Sequence, residues 1–313
     1  MEPAPLRPGE TLECVANLSE GRRPEVVDEV VAAASLHPIH VFDVSSDPDH
    51  NRSVLTFAGS PGVLRSAMLD ATREALSRID LRRHAGVHPR LGAMDLLPFV
   101  PLLGTGMEVA VEAARECARA IWKEIAVPCF LYGEAGLDPE RAVLADLRRG
   151  AFNTLSPDVG GPDPHRSAGV TVVGAREVLV AYNVNLATED LAVARRIAHR
   201  IRESNGGLRH IRALGLALAS RGAVQVSMNL TRPLITTLAH AFETVRSLAV
   251  VEGVEILEAE VVGLVPRAAL RGRNPAKLGL TTSPKILETE LARARLCPGP
   301  KPIRAEELPN PLP

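Results

Sequence analysis

The sequence predicts an α+β protein made of two units side by side, each with its elements in the order β-α-β-β-α-β. Three observations predict it. The chain has 313 residues, which suggests about two domains. Strand-like and helix-like apolar patterns alternate in the same order in both halves. A stretch that cannot be regular structure, SPDVGGPDPHRSAG (156–169), falls between them. The expected units are residues 1–178 and 179–300, with a Pro-rich tail over 301–313.

The first half opens with a strand at 11–17. Pro24 suits the first turn of a helix over 25–35. Strands follow at 37–45 and 52–59, separated by the turn-rich SDPDHN. Ser60 and Pro61 read as the cap and first turn of a helix to about Ile79. A strand at 94–102 carries Pro98 and Pro101, which predict an edge position or a neighbouring bulge. A helix at 107–126, a buried strand at 127–133 and a helix at 138–149 complete the half.

The second half is cleaner. A strand at 176–186 leads to a helix from Thr188 to Asn205, closed by Gly206 and Gly207. Two strands, 210–220 and 222–230, are joined tightly near Arg221. Pro233 opens a helix to about Val251, and 253–265 is a strand. This is the ferredoxin-like split-βαβ order, and the first half repeats it with insertions. Residues 266–295 read as broken helix.

Composition excludes several classes. Apolar residues at 46% rule out a disordered chain. A net charge of -1 removes the general footprint of a nucleic-acid binder. Aromatic residues at 3% argue against base-stacking platforms. Cys14, Cys117, Cys129 and Cys297 are scattered, with no CxxC pair. They predict reduced thiols and a cytoplasmic setting rather than a disulfide framework. No signal segment or membrane-length apolar run is evident, so neither membrane nor nucleic acid is an expected partner.

Three segments could carry chemistry. In ECVANLSEGR, Asn17, Ser19 and Glu20 stand at a strand end leading into a helix. There they could hold an anion or simply cap the turn. In RRHAGVHPRLGAMD, His84 and His88 have the i, i+4 spacing of zinc ligands on a helix, but Gly86 and Pro89 oppose a helix. A histidine acting as general acid–base fits better, and no metal is expected. The 156–169 loop could wall a small-molecule cleft or be a linker. Asp47-Pro48-Asp49-His50 reads as a turn or a polar site. P-loop, GxSxG and GxGxxG patterns are absent.

These segments, in this order, resemble the formiminotransferase family. ECVANLSEGR, DVSSDPDHNRSVLTFAG, RHAGVHPRLGAMDLLPFVP, CFLYGEA, PDVGGPD, VTVVGAREVLVAYNVNL, VQVSMNLT and VVGLVPRAAL each look like a family counterpart, covering about residues 11–270. The resemblance implies two ferredoxin-like subdomains with a folate tunnel between them, usually as a homodimer. It implies transfer of a formimidoyl group from N-formimidoyl-L-glutamate to N5 of tetrahydrofolate, the co-substrate. The family's catalytic histidine, in HPR, corresponds to His88. Its folate-binding stretch corresponds to Gly160, Gly161, Pro162, Asp163, Pro164, His165, Arg166, Ser167, Ala168 and Gly169.

Within that reading, Asp43 or Glu20 could stabilise the amidinium charge. Arg52 and Arg90 could hold substrate carboxylates, and Asn17 and Glu20 join the substrate-binding set. The sequence departs from the family pattern at Ala16 and Leu18 (proline and phenylalanine in the family), Ser45 (aspartate), Val87 (an acid) and Ala168 (an aromatic). Formyl transfer involving 5-formyltetrahydrofolate, a non-catalytic folate-binding protein and a metal-dependent hydrolase using His84 and His88 are the alternatives.

Overall fold

The structure is a computed structural model that describes residues 2–138 and 143–296. The expected tail (301–313), residues 297–300 of the second unit and residues 139–142 of the helix expected at 138–149 lie outside the described residues. Among the described residues the chain divides into two compact units, one running to Arg176 and taking in Arg293–Leu296, the other spanning Glu177–Ala292. Together they form a mixed α+β protein with one six-stranded and one four-stranded sheet.

The first unit runs β1 (Thr11–Leu18), α1 (Pro24–Ala34), β2 (His40–Asp47), β3 (Arg52–Gly59), α2 (Pro61–Arg78), β4 (Met94–Leu102), α3 (Met107–Ile125), β5 (Cys129–Gly133), α4 (Leu144–Gly150) and β6 (Thr171–Ala175). The sheet order is β2-β3-β1-β4-β6-β5. The strands up to β4 pair antiparallel, while β6 runs parallel to β4 and β5. Period-two alternation in β1 puts Leu12, Cys14, Ala16 and Leu18 into the core shared with α1, α2 and α3. Glu13, Val15 and Asn17 therefore point to the opposite face. On that face Leu96, Phe130, Tyr132 and Val172 pack with Leu147 of α4.

Of the two places expected for β4, an edge or beside a bulge, it takes the second: it lies between β1 and β6, and its pairing with β1 shifts register at Asn17/Leu18. Its prolines are accommodated by gaps and by position. The β1–β4 register passes from Cys14↔Phe99 to Asn17↔Leu96 without pairs for Val15 and Ala16, the level at which Pro98 has no N–H to offer. Pro101 lies beyond the β4–β6 ladder, which ends at Phe99↔Ala175. The register shift at Asn17/Leu18 adds an irregularity beside the same strand. One expectation needs correction, at β6. The strand expected at 176–186 is preceded by this separate, fully buried strand, and the expected one begins at Val180.

The second unit runs β7 (Val180–Leu186), α5 (Leu191–Ile201), β8 (Ile211–Leu218), β9 (Ala223–Leu230), α6 (Leu238–Val251) and β10 (Ile256–Val262). Its sheet order is β10-β7-β9-β8, antiparallel throughout. The short α7 (Arg267–Leu270) and α8 (Leu287–Leu296) follow. Gly206 closes the segment after α5 with φ +80°, a conformation in which a Cβ would be strained. α6 starts at Leu238 rather than Pro233, because Thr237 caps it by accepting the His240 N–H. Val180, Tyr182, Val224, Val226, Ile197 and Val245 lie in this unit's core. No helix among the described residues is long and apolar enough to cross a membrane.

Candidate active site

The site is built where four segments of the first unit are stitched together. The turn after β1 is tied to the start of β4: Ser19 Oγ donates to Gly92 O at 2.7 Å, and its N–H donates to Ala93 O at 2.8 Å. Asn51, buried in the β2–β3 turn with φ +46°, joins two loops. Its Oδ1 accepts the Gly21 N–H (3.0 Å), and its Nδ2 donates to Ala85 O (2.9 Å). The 160–169 loop enters from the other side, with Leu81 N–H donating to Ser167 O (2.8 Å) and Ala93 N–H to Ala168 O (2.9 Å).

His88 sits in this junction, half-buried, on a loop rather than a helix. Both ring nitrogens are engaged. Nδ1 lies 2.8 Å from Pro89 O, a carbonyl that can only accept, so Nδ1 carries the proton. Nε2 lies 2.8 Å from Arg52 Nη1, which can only donate, so Nε2 presents its lone pair. The ring also stacks on His50, with centroids 5.8 Å apart and planes at 24°. Burial, then the charges of Arg52 and Arg148, then His50 hold its pKa well below the usual imidazole range, against the Pro89 contact. His88 is thus a neutral base.

The surrounding charge is positive. Arg52 is pushed down to about 10 by burial and by Arg148 and Arg90, with Asp95 and Asp47 acting the other way. Arg148, on α4, is ion-paired to Asp95, yet its buried Nε has no partner among the described residues. Arg148 escaped the sequence reading. It lies 53 residues from Asp95 along the chain, and a helix arginine looks like surface until the fold brings it in.

Other expected site residues have structural positions. Arg90 holds the loop together: Nη1 donates to Asn51 O (3.1 Å), and Nη2 donates to His50 O (2.9 Å) and His88 O (2.8 Å). Glu20 accepts three backbone N–H groups on Oε1, from Gly21, Arg22 and Arg23 at 2.8–3.0 Å, and the Arg23 side chain on Oε2. Burial raises its pKa, but these bonds outweigh it and the net shift is downward. Asn17 is buried on β1 and donates to Val15 O at 3.0 Å. Asp43, buried on β2, accepts the Ser45 hydroxyl at 2.6 Å. His84 lies against Arg90. Among the described residues no three His, Cys, Asp or Glu side chains gather to hold a metal.

The 160–169 stretch splits in two. Gly160 and Gly161 lie against Trp122 of α3, where a Cβ on Gly160 would come within 2.8 Å of the indole. Pro162, Asp163, Pro164 and Arg166 are exposed. His165 and Gly169 exchange backbone hydrogen bonds (2.8 and 2.9 Å), and His165 Nδ1 accepts the Ala168 N–H at 3.1 Å. Ala168 is buried in the core, so a larger side chain there would need the surrounding packing to change. Among the described residues, only the 165–169 half is bonded to the His88 junction.

Comparisons with known proteins give the family. The family model of the formiminotransferase domain, N-terminal subdomain, matches residues 11–176, and that of the formiminotransferase domain matches 181–274. A glutamate formimidoyltransferase of Streptococcus pyogenes serotype M1 is 40% identical over 83% of this chain and 90% of its own length. One from Thermoplasma acidophilum is 40% identical over 83% and 89%. Formimidoyltransferase-cyclodeaminase of Mus musculus is 38% identical over 83% of this chain but only 51% of its own. With both halves matched in order, and the His88 junction inside the first match, the chain belongs to the formiminotransferase family.

Proposed function

We propose that the protein is a glutamate formimidoyltransferase. It moves the formimidoyl group of N-formimidoyl-L-glutamate to N5 of tetrahydrofolate, with His88 as the general acid–base. The observation that carries this reading is the neutral His88 imidazole, with Nδ1–H fixed on Pro89 and the Nε2 lone pair facing Arg52. The activity of the glutamate formimidoyltransferases it resembles supports the reaction.

N5 of the folate attacks the formimidoyl carbon, and the bond from that carbon to the glutamate nitrogen breaks. N5 loses one proton to His88 Nε2, and the departing amine takes one from it. No proton is gained or lost overall, so one histidine serves both steps. Arg52 and Arg148 offer positive charge to the carboxylates of the glutamyl groups. Arg90 and Glu20, both occupied in holding the loops, act as supports. Of the two carboxylates expected to face the amidinium, Glu20 holds the loop, and Asp43 on β2 is the one assigned that role.

The finer features belong to the same proposal. The strand order of the four-stranded sheet supports a ferredoxin-like second subdomain, and that of β1–β4 supports a similar core in the first. Residues 165–169 are the part of the folate stretch bonded to the segment that carries His88. The protein works as a homodimer in the cytoplasm.

The test is steady-state transfer from N-formimidoyl-L-glutamate to tetrahydrofolate, followed by folate absorbance, with 5-formyltetrahydrofolate plus glutamate alongside. Turnover with the first pair supports the reading. Turnover only with the second replaces it by formyl transfer, and folate binding without either replaces it by a binding protein.

A further inference from the structure

Arg52 and Arg90 flank His88 in different ways. Arg90 is locked: its guanidinium bonds the carbonyls of His50, Asn51 and His88 and the ring of His84. These bonds fix the loop that carries His88. Arg52 begins β3, where it pairs with Asp47 of β2, and the next residue, Ser53, pairs with Leu18 of β1. Its backbone is therefore held, while its long side chain ends on His88 Nε2. Among the described residues it forms no ion pair. Asp47 and Asp95 act on it only at longer range.

Nε2 has one lone pair, and the Arg52 N–H occupies it. Turning the ring to offer Nδ1 instead would break the bond to Pro89 O. A base in this arrangement cannot accept a proton until Arg52 leaves. The loop cannot withdraw, because Arg90 holds it, so the movable partner is the Arg52 side chain. A carboxylate binds guanidinium in a bidentate, charge-assisted pair stronger than a hydrogen bond to a neutral imidazole.

We propose that Arg52 is a positioning residue that acts as a latch on His88: its guanidinium closes the Nε2 lone pair, and a carboxylate of the acidic substrate opens it by drawing the guanidinium away. This rests on the reading of His88 as the acid–base. The carboxylate does two things at once. It frees the lone pair, and it neutralises a charge that opposes the imidazolium. The base is switched on by the substrate that needs it. The groups facing His88 are Arg52 from β3, Arg148 from α4, the His50 ring and the Pro89 carbonyl.

The experiment is nitrogen NMR of the full chain with labelled histidine, the His88 signal being assigned by its loss in His88→Gln. Glutarate, a dicarboxylate with the carbon length of the substrate, is the probe. In wild type the His88 signal is the Nδ1–H tautomer, and saturating glutarate raises its titration midpoint by about one pH unit, a tenfold change in imidazolium. In Arg52→Gln the midpoint starts higher and glutarate leaves it in place, while Arg52→Lys restores part of the response. An unmoved wild-type midpoint overturns the latch, and needs no variant to fold. An identical titration in wild type and folded Arg52→Gln also overturns it. These readouts do not depend on turnover. An active His88→Ala enzyme would instead remove the acid–base reading and leave the titration result standing.

Discussion

Arg148 is ion-paired with Asp95, and the same carboxylate accepts the backbone N–H groups of Leu91 (2.6 Å) and Gly92 (3.3 Å). One buried acid thus fixes an arginine beside His88 and the chain that leaves the His88 loop. Asp95→Ala strands the mostly buried Arg148 cation and frees two backbone donors. It is expected to lower stability by about 3 kcal/mol, read as a fall in the urea midpoint. A midpoint within error of wild type would mean that the pair contributes nothing.

Glu13 contributes stability in acid that is lost toward neutrality. It is buried on β1, and burial, partly offset by Arg176, raises its carboxyl from 4.5 to about 7. A raised folded pKa means that the folded state holds the proton longer than the unfolded chain. Stability contributed by this group is full below pH 4.5 and is lost as pH rises to about 7. The loss is on the order of 3 kcal/mol at most. Glu13→Gln should therefore gain stability relative to wild type between pH 4.5 and pH 8. Paired denaturation curves at the two pH values check this, and a constant difference would contradict it.

Glu20 has the opposite pH dependence. Its folded pKa is depressed below 4.5, so the stability it contributes is present above that value and is lost as pH falls through the folded pKa. Glu20→Ala removes the acceptor of three backbone N–H groups ahead of α1. A loss of about 2 kcal/mol at pH 7 is expected, shrinking in acid. Thermal unfolding at pH 7 and pH 3.5 provides the comparison.

Gly92 is required by close approach rather than by a positive φ. A Cβ there would meet Val170 O at 1.8 Å and Met94 O at 3.0 Å. Both are backbone atoms that cannot swing aside. Gly92→Ala should push apart the contact between the 160–169 stretch and the His88 loop, lowering both stability and transfer rate. Retained rate with wild-type stability would contradict this packing.

The legible parts of the fold are those where burial writes a pattern. The alternation of Leu12, Cys14, Ala16 and Leu18 against Glu13 and Asn17 marks β1 and its two faces. Pro24, Pro61 and Gly206 mark helix boundaries through local chemistry alone. β6 was not legible, because Thr171–Ala175 is short, buried on both faces and runs on from a glycine-rich loop. The interior place of β4 was hidden because its prolines are tolerated only through gaps in a partner strand. At the site, the HPR motif pointed to His88. The roles of its neighbours depended on partners that sequence spacing does not reveal. Arg90 bonds backbone carbonyls, Glu20 bonds backbone amides, and Arg148 arrives from a helix beyond β5. Arg52 was named for carboxylate binding, but its contact with Nε2 could be read only from the fold.

The most direct test of the central claim is single-turnover formimidoyl transfer to tetrahydrofolate by wild type and by His88→Ala, with folate binding measured on the same samples. With His88 as the acid–base, the variant's rate is expected to fall by about 100-fold or more, with folate binding largely retained. A variant that transfers the group at the wild-type rate would contradict it.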